Sequence, residues 1–309
     1  MNLITKQDTS ARRIAAVGMY DGVHAGHRFL IDYLGVEARS RGLVPAGVTF
    51  SRHPLSVVRP LEAPALLNTL EQRVSLLGEA GAEDIIMLSF NDALRRMSAK
   101  EFIGALKRKF AIDALVLGFN NRFGHDHPDS LDKYRVIGGE VGVEVIAAPE
   151  YRGPVAPVSS SAIRRHLIDG RPEEAARLLG GNYSLRGKVI SGKRLGRTLG
   201  FPTANLELPS APLLIPMAGV YAAYVTTPDG VRRKAVVNIG YRPTVDNADE
   251  GKQQLSIEAH ILDFVGYIYD EEITVEFVKY LRPEKTFSST TKLASQINDD
   301  INATRKILK

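Results

Sequence analysis

Residues 18 to 28 read GMYDGVHAGHR. They place two imidazoles, His24 and His27, three apart behind a Gly-rich turn. An apolar strand-type run, Ile14 to Met19, precedes the turn, and a helix-like run, His27 to Arg39, follows it. Working outward, the same alternation continues. Strands are expected at Val44 to Phe50, Asp84 to Phe90, Ala114 to Phe119 and Val143 to Ala148, with helices at Thr69 to Glu79, Ser98 to Phe110 and Leu131 to Glu140 between them. Ser98 and Glu101 form an S-x-x-E capping box, in which the serine accepts from first-turn amides. Apolar strands alternating with helices predict a parallel sheet covered on both faces.

A second pattern begins near residue 183. Alternating β-branched and aromatic residues mark Val220 to Val225, Lys234 to Ile239, Gln254 to Ile261 and Ile273 to Tyr280. Pro228-Asp229-Gly230 supplies a turn. Strands this close, without helices between them, predict an antiparallel sheet or small barrel. Thr290 to Leu308 carries Leu293, Ile297, Ile301 and Ile307 at roughly helical spacing, which predicts an amphipathic helix packed on the barrel. Ser159 to Ile168 and Glu173 to Leu179 read as two short helices, and RLLGGNYS, residues 177 to 184, reads as the joint. The domains are therefore expected at 1–180 and 181–309.

The 309 residues suit two domains. No run approaches the roughly 20 apolar residues of a bilayer span. MNLITKQDTSARR lacks the apolar stretch of a secretory leader, so no membrane association and a cytoplasmic chain are expected. With no cysteine there are no disulfides and no thiolate metal sites. A net charge of +5 suits anionic small molecules and is too small and too evenly spread to argue for nucleic acid. The sequence leaves a homo-oligomer open.

In an open parallel sheet, ligands bind beyond the carboxyl ends of the strands, where the histidine pair falls. Gly22 and Gly26 would let backbone approach a phosphate. The second imidazole falls at a helix N-terminus, where free amides favour an anion. The pair thus reads as a phosphate clamp for phosphoryl or nucleotidyl chemistry; the competing reading is one helix cap and one surface histidine. A metal site lacks an obvious third ligand. Neither G-x-x-x-x-G-K-[ST] nor G-x-G-x-x-G occurs. GHDHPD, residues 124 to 129, offers His125, Asp126 and His127, and is read as a solvated loop rather than a metal site.

GKVISGKRLGRTLGFPTANLELP spans 187 to 209. Its glycines with Lys193, Arg194 and Arg197 could wrap a polyphosphate. Thr203 and Asn205 offer neutral hard oxygens compatible with Mg²⁺. A turn with no chemistry is the alternative.

GMYDGVHAGH resembles the H-x-G-H signature of the nucleotidyltransferase superfamily, in the G-x-F-D-G-V-H-x-G-H form of bacterial bifunctional riboflavin kinase/FAD synthetases. TFSRHP (49–54) resembles that family's T-F-x-P-H-P, LGFNNRFG (117–124) its G-x-D/N-F-x-F-G loop, and SSSAIR (159–164) its S-S-T-x-I-R. The 187–209 string resembles G-x-V-x-x-G…G-R-x-x-G-F-P-T-A-N of the riboflavin kinase module. GVY (219–221), VVNIGYRPTV (236–245), IEAHILDF (257–264) and LRPEKTF (281–287) extend that match.

The resemblance implies a Rossmann-like nucleotidyltransferase domain followed by a small antiparallel Greek-key β-barrel with a terminal helix. It implies phosphorylation of riboflavin to FMN in the second domain, then adenylylation of FMN to FAD in the first, with ATP as co-substrate and Mg²⁺ as cofactor. Gly18, Tyr20, Asp21, His24, His27, Asn120, Ser160 and Arg164 would bind ATP for adenylyl transfer, with His24 and His27 contacting its phosphates. Gly192, Lys193, Arg197, Thr203 and Asn205 would bind ATP for the kinase, Thr203 and Asn205 also meeting the metal. Glu258 would be the general base, and Arg282 and Phe287 would shape the flavin end. The chain departs from the pattern at Tyr20 for Phe, at Arg52 for Pro, at Asn121 for an aromatic residue, and at Asp270, where L-Y-G is common. The departures keep a kinase-only reading open, and a flavin- or RNA-binding regulator is the reading of another class.

Overall fold

Every residue of Arg13–Val17 is buried, and alternation along this short strand sets the layering of the first unit. Ile14 and Ala16 pack into one apolar cluster, and Ala15 and Val17 into another on the opposite face. In the computed structural model, which describes residues 1–118, 122–192, 196, 200–243 and 253–309, six strands form one sheet. They are β1 (Asn2–Ile4), β2 (Arg13–Val17), β3 (Val44–Phe50), β4 (Asp84–Leu88), β5 (Ile112–Leu117) and β6 (Glu144–Ala147). All pairs are parallel, in the order β1-β4-β3-β2-β5-β6.

Helices α1 (Ala25–Arg41) and α3 (Leu70–Glu79) cover one face, burying Ile31, Leu34, Val74 and Leu77. Helices α5 (Ala99–Phe110) and α6 (Leu131–Glu140) cover the other through Phe102, Ile103, Leu106 and Tyr134. Between them in sequence lie two single turns, α2 (Leu55–Val58) and α4 (Asp92–Arg95). The Ser98/Glu101 capping box forms as the sequence predicts. A second box, Thr69 with Gln72, opens α3. Helix α1 begins two residues earlier than expected. His24 is therefore its N-cap, and His27, expected at the start, lies in the first turn.

Internal contacts divide the chain into Met1–Ser159 and Ser160–Lys309. Helices α7 (Ser160–Ile168) and α8 (Pro172–Leu179), which the sequence assigns to the first domain, group by these contacts with the second unit. That unit is a closed antiparallel barrel in the order β10-β11-β8-β7-β12-β9. Its strands are β7 (Tyr183–Ile190), β8 (Ala204–Glu207), β9 (Gly219–Thr226), β10 (Arg232–Pro243), β11 (Gln253–Ile261) and β12 (Glu272–Arg282). The terminal helix α9 (Thr290–Ile307) packs outside it, Ile301 lying with Leu281 against Val220, Val236 and Leu262.

Three strands escape the sequence reading. β1 is a three-residue edge strand. β7 alternates buried Tyr183, Leu185, Gly187 and Val189 with outward polar residues, a pattern masked by Gly187. That glycine is required by close strand approach: a Cβ there would lie 2.3 Å from the Glu207 carbonyl oxygen. β8 has four residues, too few for a periodic signal.

Candidate active sites

The first site is built on the switch point of the parallel sheet. From β2 the chain runs out to β3 on one side, while β5 pairs on the other, so a crevice opens at the carboxyl ends of β2 and β5. A cleft of about 880 Å³ occupies this place, and Val17, Gly18, Tyr20, His24, His27 and Gly118 line it. The turn between β2 and α1 is tight. Gly22 has φ 85°, and Tyr20 and Val23 hold φ 52° and 40° without being glycine. Positive φ in a β-branched residue is strained, and such strain persists only where surroundings over-determine it.

The two imidazoles stack, with centroids 3.7 Å apart and planes 12° from parallel. His24 Nδ1 accepts from the His27 backbone N–H at 3.4 Å, which leaves the ring proton on Nε2. Burial lowers His24 to about 4. Burial also holds His27 well below the ordinary histidine range, and His24 beside it adds to this. Both rings are therefore neutral at pH 7. His27 Nδ1 is buried without a hydrogen-bond partner, and the Tyr20 ring meets His27 edge-on at 5.2 Å. Neutral N–H donors at a helix N-terminus, with the macrodipole behind them, form a site that gains from an arriving phosphate.

Asp21 is buried, its Oδ1 accepting from Leu67 N at 2.8 Å. Arg52 is exposed, and His53 Nδ1 accepts from Leu55 N. Asn120 and Asn121 lie outside the described residues. Ser160 and Arg164 stand one helical turn apart at the start of α7. Asp126 Oδ1 accepts from Ala99 N at 2.8 Å, and so serves the start of α5. Among the described residues no group of three His, Asp or Glu side chains is placed to hold a metal. The sequence reading missed Tyr151 and Arg152, which line the cleft from the segment after β6. Only their position after a strand end could have signalled them.

The second site lies on the barrel. Asn205 of β8 is the direct cross-strand partner of Glu258 on β11, and Glu258 is that of Asn238 on β10. Direct partners share a face, so the three form one rung. Glu258 alternates with buried Ile257 and Ala259 and so stands on the outer face. Its Oε2 accepts from Thr203 Oγ1 at 3.3 Å and its Oε1 from Ser256 Oγ at 3.1 Å. A cavity of about 90 Å³ beside them is lined by Gly192, Thr203, Asn205, Ala259, Phe264 and Tyr269. Gly192 packs on the Asn205 amide so closely that a Cβ would lie 2.2 Å from Nδ2. Lys193, Arg194 and Arg197 lie outside the described residues.

Arg282, expected at the flavin end, binds Asp300 of α9, and its guanidinium carbon is 6.0 Å from the Phe287 ring centroid. Asn238 Nδ2 donates to Glu284 Oε1 at 2.9 Å, a pair the sequence reading did not single out. The departure at Asp270 leaves the turn intact: Asp270 takes the left-handed φ of 65° that glycine would supply, and its carboxylate meets Lys188 at 2.9 Å.

The FAD synthetase family model matches residues 6–162, and the riboflavin kinase family model matches residues 179–308. A protein of Pseudomonas fluorescens named bifunctional riboflavin kinase/FMN adenylyltransferase is 36% identical over 295 residues, covering 95% of this chain and 92% of its own. Proteins of the same name from Bacillus subtilis (strain 168) and Escherichia coli (strain K12) are each 33% identical, over 95% and 93% of this chain and 92% and 90% of their own. A crystal structure from Streptococcus pneumoniae, described as a macrolide-efflux protein, superposes with TM-score 0.87 at 28% identity over 98% of both chains. No helix among the described residues of the present chain is long and apolar enough to cross a membrane. Two family models, one on each half, and relatives matched almost end to end agree: the chain belongs to the family of bifunctional riboflavin kinase/FMN adenylyltransferases.

Proposed function

We propose that the chain carries out two ATP-dependent steps on one flavin. Riboflavin is phosphorylated to FMN on the barrel, and FMN is then adenylylated to FAD, with release of pyrophosphate, in the parallel-sheet unit. The reading rests on the rung that sets Glu258 beside Asn205 and against the Thr203 hydroxyl. Glu258 takes the proton of the ribityl 5′-hydroxyl as its oxygen attacks the γ-phosphorus of ATP; the bond to the β-phosphate oxygen breaks and ADP leaves. The two hydroxyls that donate to the carboxylate fix its orientation, and a base must lie within hydrogen-bond reach of the proton it takes. The Thr203 hydroxyl and Asn205 amide oxygen are hard, neutral donors, a set that fits Mg²⁺. When bound there with ATP, Mg²⁺ would neutralise phosphate charge.

In the first unit an FMN phosphate oxygen attacks the α-phosphorus of ATP, and pyrophosphate leaves. The His24 Nε2–H and the His27 ring donate to phosphate oxygens as charge builds, so the rings position and stabilise without covalent work. Gly18, Tyr20 and Asp21 shape the turn beneath the nucleotide. Ser160 and Arg164, which the family pattern assigns to ATP, offer amides and a guanidinium fork suited to its phosphates. The functional division falls at 180/181, supported by the start of the kinase match at 179. Use of ATP in both steps fits a cytoplasmic location.

The test is product analysis with Mg²⁺ and ATP. Riboflavin should give FMN and then FAD, and FMN alone should give FAD with one pyrophosphate per turnover. Formation of FMN but never FAD would reduce the chain to a kinase; formation of neither would overturn the reading.

A further inference from the structure

Arg73 of α3 is a cation in the core, 1% exposed, with no part in the chemistry above. Burial lowers its affinity for its proton, and Asp21 and Glu71 are the acidic groups that offset this. Its Nη1 donates to the Met19 carbonyl oxygen at 2.9 Å and contacts Met19 Sδ at 3.2 Å. The same carbonyl accepts from Thr49 Oγ1 of β3 at 3.2 Å. Two side chains thus donate to one loop carbonyl, which immediately precedes Tyr20, the first of the two strained residues. Two residues on, in the middle of the turn, Asp21 is tied to Leu67 N, three residues before α3 begins. The turn is thus fastened at Met19 to β3 and α3 and at Asp21 to the segment before α3, and His24 and His27 follow from it.

We propose that Arg73 is a positioning residue for adenylyl transfer: from within the core it holds the Met19 carbonyl, and with it the strained turn that presents His24 and His27 to the nucleotide. A buried guanidinium is costly to retain for packing alone, since an apolar residue would fill the place without desolvating a charge. It is accounted for by the strained φ values, which relax once their restraints go. Small displacements of positioning groups cost rate out of proportion to their size.

The inference rests on the role given above to His24 and His27, and the experiment separates the two. FAD formation from FMN and ATP is measured in the full chain for Arg73→Met, Arg73→Lys, Thr49→Val and His27→Asn, with riboflavin phosphorylation by the same preparations as internal reference. Arg73→Met should lower kcat for FAD formation by about ten- to a hundredfold, with KM for FMN and the kinase rate little changed. Arg73→Lys should recover part of the loss, because an ammonium can still donate to the carbonyl. Thr49→Val, an isosteric change that removes the second donor, should lower kcat by a smaller factor, and decides the matter if Arg73→Met fails to fold. In a folded variant the His24 ring, followed by proton NMR, should titrate closer to an ordinary histidine as water reaches it. Folded Arg73→Met or Thr49→Val with unchanged kcat overturns the proposal. Unchanged FAD formation in His27→Asn would instead overturn the role of the imidazoles.

Discussion

Arg282 of β12 and Asp300 of α9 form a forked ion pair: Nε lies 3.0 and 3.2 Å from the two carboxylate oxygens, and Nη2 lies 2.7 Å from Oδ2. Both side chains are largely buried, and Gln296 adds a third donor to Asp300 at 3.1 Å. Arg282 also pairs with Val220, Val220 with Asn238, and Asn238 with Glu258. The rung that carries the proposed base therefore runs round the barrel to the residue that fastens the terminal helix. Asp300→Asn would leave a buried guanidinium without its counter-charge, at a cost of about 3 kcal/mol. Chemical denaturation followed by circular dichroism should show it. The double variant Arg282→Met/Asp300→Leu should regain most of that stability, while an unchanged midpoint in the single variant would mean that the pair does not hold α9.

Glu258→Gln keeps the side-chain shape and the contact with Thr203 but removes the proton acceptor. Riboflavin phosphorylation should fall by at least about a hundredfold, with KM for ATP little altered. FAD formation from supplied FMN should be unaffected, because that chemistry uses no residue of the barrel. Steady-state rates with each flavin in turn check both halves. A kinase rate within a few-fold of the parent would remove Glu258 as base.

The layering of the first unit was legible because short apolar strands alternate with helices and because Ser98 and Glu101 announce a helix start. The histidine pair was legible by its place after a strand. What sequence could not supply was tertiary: which carbonyl Arg73 reaches across 54 positions, and that Arg282 meets a helix rather than only solvent or ligand. Position α1 shows the limit in miniature. The apolar spacing begins at His27, but the hydrogen bond that closes the first turn is made by His24, so the cap lies one residue before the helix rather than at its first apolar-looking position. In the barrel, β7 was hidden because the glycine that permits its close pairing with β8 also erases its pattern.

Gly192→Ala tests the proposed kinase nucleotide pocket. The added methyl would lie within 2.2 Å of the Asn205 amide nitrogen, so that side chain must move. A ligand displaced in this way weakens ground-state and transition-state binding together, which appears in KM. KM for ATP in riboflavin phosphorylation should rise by about tenfold, with KM for riboflavin and the rate of FAD formation from FMN unchanged. Unaltered KM for ATP would mean that Asn205 does not contact the nucleotide.

The stacked imidazoles also make stability depend on pH. His24 is lowered by burial from 6.5 to about 4 in the folded chain. Between these values the unfolded chain binds the extra proton and the folded chain does not, so stability rises with pH across the window. The contribution is complete above 6.5 and is lost as pH falls toward 4, and it amounts to about 3 kcal/mol. His27 is shifted in the same direction and steepens the loss. Carboxylates also titrate toward the acid end, so the measurement is a difference: urea denaturation of the parent and of His24→Asn at matched pH. The parent should lose more stability than the variant between 6.5 and 4. ATP should narrow the gap, because its phosphates favour the protonated ring and let the folded chain take up the proton it otherwise excludes. Parallel loss in the two proteins would show that His24 titrates as an ordinary solvated imidazole and not as a buried, neutral donor in the cleft.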